Sequence, residues 1–451
     1  MAPGYVRPAS PVPAHFRDAP TSDPAASEVA SLAWREVFLD ARLQQVIALA
    51  LQNNRDLRVA MLNIEKARAQ YRIQQAEVLP SVQAAASRTA SRASVNGSSQ
   101  VSRTVSAEVG FSNWELDLFG RLRSLNDQAL ETWLATAQTQ RSTRMSLVAE
   151  AAADWLTVGA YQQRLALARK ALESQNETLK LTAAKHARGA ASGLDLAEVQ
   201  TSVESARADV ASYDTALAQA RNALELVAGA TVPEALLPDP QAAADAVRLA
   251  PLPASLSSNV LLLRPDVLYA EHTLKAANAD IGAARAAFFP SISLTAAAGR
   301  SSTQLSSLFG GGARTWSFVP TITVPIFQGG ALQAELDAAT IGKDINVAQY
   351  EKAIQTAFSE AADALAARAR INEQIDAQTA LVAASQRRHA LALARYQRGV
   401  DSYLEALDAQ RSLYSAQQAL VTLQLQEAAN RVTIYKVLGG GADAQPDASL
   451  P

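Results

Sequence analysis

The residues that carry most enzyme chemistry are sparse in this sequence. Cysteine is absent, which removes disulfides, thiolate metal sites and cysteine nucleophiles. The four histidines, His15, His186, His272 and His389, are scattered with no HExxH spacing. Glycine clusters such as Gly310-Gly311-Gly312 lack the Lys-Ser/Thr that completes a phosphate loop. No enzyme constellation emerges, and no cofactor or metal is expected. Two Arg-Gly dipeptides, Arg188-Gly189 and Arg398-Gly399, instead punctuate long helical runs, and Leu404, Asp408 and Arg411 follow the second. A carboxylate on a helix is by default a solvated surface charge.

The elements that carry these turns follow from the whole chain. Its 451 residues carry a net charge of −2 with no basic block, so it has no electrostatic footprint for nucleic acid. Alanine, leucine, glutamine, glutamate and arginine dominate, the composition of long helices. No run of about 18 apolar residues appears, so no transmembrane helix is expected. Met1 leads straight into a proline-rich stretch (Pro3, Pro8, Pro11, Pro13) rather than a signal peptide, and the chain reads as a mature form with its export signal removed.

One offset recurs throughout. Asn54-Arg55-Asp56-Leu57 returns as Arg264-Pro265-Asp266-Val267, Leu79-Pro80-Ser81-Val82 as Phe289-Pro290-Ser291-Ile292, and Arg188-Gly189 as Arg398-Gly399. Each pair is separated by 210 positions (57 to 267, 80 to 290, 189 to 399). A repeat at fixed spacing means a duplicated unit. The expected organisation is an extended segment over 1–30; repeat 1 over 31–228; a linker over 229–255; repeat 2 over 256–438; and a tail over 439–451. Within each repeat a helix (41–79; 256–289) ends at a proline. A β-hairpin follows (81–119; 291–327), then a very long helix (121–187; 331–397), a tight Arg-Gly turn and a shorter helix (193–228; 402–438). Gly439-Gly440-Gly441 closes the last helix as a C-cap would.

The hairpins alternate as membrane strands do. Val101, Arg103, Val105, Ala107, Val109 and Phe111 share one face; Ser102, Thr104, Ser106, Glu108, Gly110 and Ser112 share the other. Trp316, Phe318, Ile322, Val324 and Ile326 alternate with Ser317, Thr321 and Thr323, while 82–92 alternate only weakly. Asn96-Gly97 and Gly310-Gly311-Gly312 supply the turns. A small sheet covered by helices would also alternate. Aromatic residues at the strand ends (Trp316 and Phe318; Trp114, Phe119 and Phe327) favour the two aromatic girdles of a transmembrane barrel. Four strands cannot close a barrel, and open edges are not tolerated in lipid. Other copies of the chain must therefore complete it: three copies give twelve strands, and two or four would also satisfy edge closure.

The long helices, 67 residues each, would span roughly 100 Å at 1.5 Å per residue. That is about three times the hydrocarbon thickness of a bilayer, so they must project into water. Leu196, Val199, Val203, Ala206, Val210, Tyr213, Leu217, Ala220, Leu224 and Val227 form a heptad seam for helix packing. The seam alone fits a solid bundle as well as a tube wall.

Trp114-Glu115-Leu116-Asp117-Leu118-Phe119-Gly120, the run Ala283-Ala284-Arg285-Ala286-Ala287-Phe288-Phe289-Pro290-Ser291-Ile292, and Leu407-Asp408-Ala409-Gln410-Arg411-Ser412-Leu413 resemble the TolC family of outer-membrane efflux factors, specifically its OprM-like (NodT-type) lipoprotein branch. The resemblance implies a mainly α homotrimer with a transmembrane β-barrel of twelve strands, four from each chain. A long periplasmic helical barrel continues it, and the inter-repeat segment forms an equatorial collar. It implies the outer-membrane exit channel of a tripartite multidrug efflux system, with a periplasmic adaptor protein and an inner-membrane drug pump of the proton-driven RND type as partners. A duct for secreted polypeptides is the alternative. Lipoprotein members begin with an acylated cysteine where this chain has Met1, which implies a recombinant start without the anchor. By the same resemblance Leu404 and Asp408, with Arg411 nearby, line the pore gate, where three copies of Asp408 around the axis would repel anions and attract cations. Asp195 and Tyr396 tether its closed state through a hydrogen bond, and Arg411 offers an alternative ion pair because a third tether position is Asp401. Arg188, Gly189, Arg398, Gly399 and Ser402 at the tips are the expected adaptor contacts.

Overall fold

The computed structural model describes residues 1–16, 33–95, 98–239 and 257–440. The Asn96-Gly97 turn, residues 240–255 of the expected linker, 17–30 of the N-terminal segment and 441–451 of the tail lie outside the described residues. In chain order the elements are α1 (Trp34–Val37), α2 (Ala41–Asn53), α3 (Arg55–Ala76), β1 (Gln83–Val95), β2 (Ser98–Leu116), α4 (Arg121–Ala187) and α5 (Gly193–Ala228). They continue as α6 (Pro265–Ala286), β3 (Ser291–Ser302), β4 (Arg314–Thr323), α7 (Ala331–Gln397) and α8 (Tyr403–Val437). The chain forms two compact units, and both draw on both halves of the sequence.

The first unit comprises Met1–Ala9, Leu62–Gln138 and Leu268–Lys352. It contains one antiparallel sheet in the order β1-β2-β3-β4, so β1 and β4 are its edges. The register joins the strand patterns into two continuous faces, because side chains alternate along every strand. One carries Ala84, Val109, Phe111, Trp114, Leu294, Ala296, Trp316, Phe318 and Ile322. The other carries Ser87, Ser106, Gly110, Ser293, Thr295, Ser301, Ser317 and Thr321. The weakly alternating stretch around residue 90 is thus a full strand, defined by its partner.

Two features of the sheet depart from expectation. Between Phe111 and Trp114 the register slips by one residue, and Asn113 adopts φ 55°, the only positive φ at a non-glycine among the described residues. Its N–H donates to Thr295 Oγ1 at 3.1 Å. This β-bulge puts Phe111 and Trp114 on one face, 5.9 Å apart edge to face. The second hairpin is longer than a tight turn: a 3-10 turn (Leu305–Ser307) comes first, and the three glycines then make the turn into β4, Ala313 N donating to Gly310 O at 3.4 Å. β4 ends at Thr323, so Val324 and Ile326 lie beyond it.

The N-terminal segment runs antiparallel to α6 in the same unit. Arg7 donates twice to the buried Glu271 carboxylate (3.1 and 2.6 Å), joined by Tyr5 OH at 3.2 Å and Lys275 at 3.2 Å. Burial alone would raise that carboxyl; the Arg7 and Lys275 partners outweigh it and hold it below the usual range. Further along, Asn278 Nδ2 donates to Pro3 O at 2.8 Å. A Cβ at Gly282 would come within 2.7 Å of Ala2 N, so only glycine permits this approach.

The second unit comprises Ser10–Met61, Thr139–Val267 and Ala353–Pro451. Its core gathers Trp34, Phe38, Leu43, Ile47, Trp155, Leu224 and Tyr435, each such side chain contributing about 1.5–3 kcal/mol on burial. Trp155 Nε1 finds its acceptor in Leu236 O at 2.8 Å. Every residue of the α5 seam is buried or half-buried. The two helices expected over 41–79 and 256–289 are each broken. Asn54 takes an extended ψ of 130° and its side chain caps the next helix by accepting from Leu57 N. Arg264 is forced extended by Pro265, with a 3-10 turn (Ser258–Leu263) before it.

These two breaks, 210 apart, perform one task. Asn54 Nδ2 donates to Val227 O at 3.0 Å, and Arg264 Nη1 donates to Val437 O at 2.9 Å, so each break caps the last turn of a helix 173 residues on. Gly229 and Gly439 follow those helix ends with φ 66° and 75°, and a Cβ at Gly229 would meet Asn53 O at 2.5 Å.

Candidate functional site

In the second unit α4 and α5 meet at one Arg-Gly turn, α7 and α8 at the other. Gly189 (φ 74°) and Gly399 (φ 71°) take the left-handed conformation that ends a helix. Gly189 N bonds His186 O and Ala190 N bonds Lys185 O, both at 2.9 Å; Gly399 N bonds Tyr396 O and Val400 N bonds Arg395 O, both at 3.0 Å. No atom lies within 4 Å of a Cβ built at either glycine, so conformation alone demands them. Arg188, Gly189, Arg398, Gly399 and Ser402 are all exposed.

Behind the turns the four helices pack on Val199, Tyr396, Tyr403, Ala406 and Leu407. Tyr396 OH and the fully buried Thr182 Oγ1 lie 3.1 Å apart, and Lys185 Nζ sits 4.3 Å over the Tyr396 ring. Tyr403 OH donates to Gln175 Oε1 at 2.9 Å, and Gln175 Nε2 to Gln410 Oε1 at 2.8 Å. Burial, then the neighbouring Tyr396, pushes the Tyr403 hydroxyl up to about 12, so it stays a neutral donor.

Leu404 and Asp408 project one turn apart from α8, both exposed. Asp408 Oδ2 accepts from Arg388 Nη2 of α7 at 2.5 Å. Asp401 is held by Arg395 (Nη2 to Oδ1, 2.9 Å), and that hydrogen bond keeps its carboxyl below the usual range. Among the described residues Asp408 and Asp401 take their guanidinium partners from α7 and not from Arg411, because antiparallel packing brings positions equidistant from the turn together. Both pairs are centred on position 398. Asp195 and Tyr396 are likewise not joined. Asp195 Oδ2 accepts from Ser192 N while Ser192 Oγ accepts from Asp195 N, both at 3.0 Å, a capping box that occupies the carboxylate locally.

Arg388, Arg395, Thr182, Tyr403 and Gln175 escape a reading of the sequence as linear motifs. The two arginines had a usable signal in their mirror spacing about the turn; the buried hydroxyls had none, since they join α4 to α7 or α8 over more than 200 residues. Among the described residues no group of three or more histidines and carboxylates could hold a metal ion.

The family described as "Outer membrane efflux protein" matches this chain twice, over residues 46–230 and 256–440, again 210 apart (46 to 256, 230 to 440). The chain is 48% identical to the probable efflux pump outer membrane protein TtgC of Pseudomonas putida over 448 residues, 98% of this chain and 92% of that one. It is 42% identical to outer membrane protein OprJ of Pseudomonas aeruginosa over 447 residues, 98% and 93% of the two chains. Among solved structures it resembles CusC (TM-score 0.89, 40% identity, 98% and 100% covered) and the open state of the Neisseria gonorrhoeae MtrE outer membrane channel (TM-score 0.88, 38%, 99% and 100%). With both halves matched and relatives similar over almost their full lengths, the chain belongs to the outer membrane efflux protein family and is an outer-membrane exit channel.

Proposed function

We propose that three copies of this chain form a passive duct for drugs, solvents and other small toxic compounds, working with a periplasmic adaptor and a proton-driven RND-type pump in the inner membrane. The observation that carries this is the sheet. It has one apolar face, one face of serine, threonine and glycine, and two unpaired edges, in a chain whose described helices include none long and apolar enough to cross a membrane. Pairing the β4 edge of one copy with the β1 edge of the next satisfies every backbone group in lipid and closes twelve strands. The 210-residue offset supports a duplicated unit, each copy adding two strands and a set of wall helices. Relatives include proteins named for toluene and antibiotic efflux in Pseudomonas putida, which supports small apolar and amphipathic cargo.

The narrowest point is assigned to the turns. Leu404 would supply an apolar constriction and Asp408 a ring of carboxylates around the axis. Arg388 modulates that charge in each copy, and Arg411 lies on the same helix. Tyr396 contributes to the closed state by pinning α7 to α4 through Thr182, and Asp195 by fixing the start of α5. The exposed residues Arg188, Gly189, Arg398, Gly399 and Ser402 face the adaptor.

Two measurements test the proposal together. The detergent-extracted protein should run as a trimer, and expression in a strain deleted for its own efflux channel, alongside a compatible pump and adaptor, should restore toluene resistance. A monomer that purifies without detergent and restores nothing would overturn it.

A further inference from the structure

Arg88, Arg92, Arg103, Arg300 and Arg314, the five arginines of the sheet, all fall on its apolar face. They are also confined along the strands. Ala84, Val109, Ala298 and Trp316 stand opposite one another in a row across the four strands. Arg300 and Arg314 face each other in the next row toward the hairpin turns, Arg88 stands in the row after, and Arg103 and Arg92 lie beyond it. Same-face rows are about 7 Å apart, so the arginines occupy roughly 20 Å of strand just past the aromatic band. The strand ends that join the helices carry none.

Four of the five are exposed and Arg300 is half-buried. Arg300 donates to Gly310 O at 3.1 Å and stacks 5.9 Å from the Phe309 ring. Among the described residues none of the five pairs with a carboxylate. Ala86, Ala107, Arg300, Phe309, Arg314 and Trp316 help line one shallow pocket, which so gathers two guanidinium groups and two aromatic rings. Five like charges on one face repel one another unless an anion sits among them.

We propose that this face binds the phosphate groups of the outer-leaflet lipid, the phosphorylated glycolipid lipopolysaccharide, with its acyl chains against Trp316 and Phe318. The assignment rests on the barrel proposed above, which turns the apolar face to lipid and sends the hairpin end away from the periplasmic helices. Guanidinium forks grip phosphate oxygens in pairs by charge-assisted bonds, and an aromatic band beneath a basic cluster matches the depth at which acyl chains give way to headgroups. A soluble polyanion would use the charge but not the adjoining aromatic surface.

The test uses the full-length protein in detergent, with lipopolysaccharide as probe and its dephosphorylated form and phosphatidylcholine as controls, bound lipid being read by native mass spectrometry. Wild type should retain lipopolysaccharide over both controls, and R300Q/R314Q should lower its retention roughly tenfold or more. Single-channel conductance of the same variant should match wild type, showing that it still assembles. Equal retention by a conducting R300Q/R314Q, or equal binding of dephosphorylated lipid by wild type, would overturn the lipid site and leave the barrel standing. A wild-type protein that forms no channel would overturn both.

Discussion

After the first Arg-Gly turn, Ser192 and Asp195 close a capping box on the start of α5. After the second, 210 positions on, Ser402 makes no capping bond, and Asp401 and Asp408 are held instead by Arg395 and Arg388 of α7. At the equivalent positions the first half has Lys185 and Thr178, with Ala191 and Glu198 opposite them. Both turns share the same backbone bonds, and a capping box adds a further local tie at the first. The second has ion pairs from α7 instead, Arg395 to Asp401 in the turn and the exposed Arg388 to Asp408 of α8. Surface pairs of this kind contribute only about 0–1 kcal/mol and weaken in salt. A moving gate needs contacts of the second kind, which is why the gate is assigned to the second half.

A second contrast sits at the helix breaks. Arg264 is 5% exposed and bonds Asp266, Glu360 (2.7 Å) and Val437 O. In the first half Asn54 stands in its place, so the guanidinium that meets Glu360 has no counterpart at the equivalent position for Glu150. Burial, and then the charge of Glu150, raises the Asp154 carboxyl to about 6.

The largest expected effect tests that contrast. Arg264→Ala removes a buried side chain and leaves a helix-end carbonyl without its donor, while Asp266 and Glu360 stay solvated. It should lower unfolding stability in urea by about 2–3 kcal/mol, whereas Asn54→Ala should lose about 1 kcal/mol. Equal losses would erase the distinction between the halves. Asp154→Asn should stabilise the protein at pH 7 by up to about 1 kcal/mol, discounted for partial exposure. The sign follows from a folded pKa above the unfolded 3.8. The native state then favours the protonated form, so the penalty is absent below pH 4, grows as pH rises toward 6 and is constant above. A gain that persists at pH 3 would refute this cause. Ser192→Ala should lose about 1 kcal/mol and raise hydrogen exchange at the start of α5. Ser402→Ala should stay within about 0.5 kcal/mol, and matching losses would mean that the two tips are held alike.

How far the sequence reveals this molecule depends on the range of the interaction. Gly189 and Gly399 mark the ends of α4 and α7 because a left-handed residue leaves a local signature. Alternation in β2 announces its two faces, since the side-chain period is set by the backbone. The Asn113 bulge leaves a fainter trace, an asparagine inside a strand and a slip of alternation between Phe111 and Trp114, which the register against β3 turns into a bulge. The break at Arg264 was signalled by Pro265, but Asn54 lacks a proline and its break is visible only through the Val227 carbonyl it caps. At the proposed gate, Asp408 and Leu404 are legible only through resemblance. Arg388 becomes visible once the hairpin is folded about position 398.

Ion selectivity in a planar lipid bilayer tests the central claim most directly. The wild-type protein should open discrete, cation-selective channels. Asp408→Ala should raise conductance and cut the cation preference roughly twofold or more, while Arg388→Gln, which frees the carboxylate, should increase that preference. Channels whose conductance and selectivity are unchanged by Asp408→Ala would contradict the gate, and the absence of any channel would contradict the duct itself.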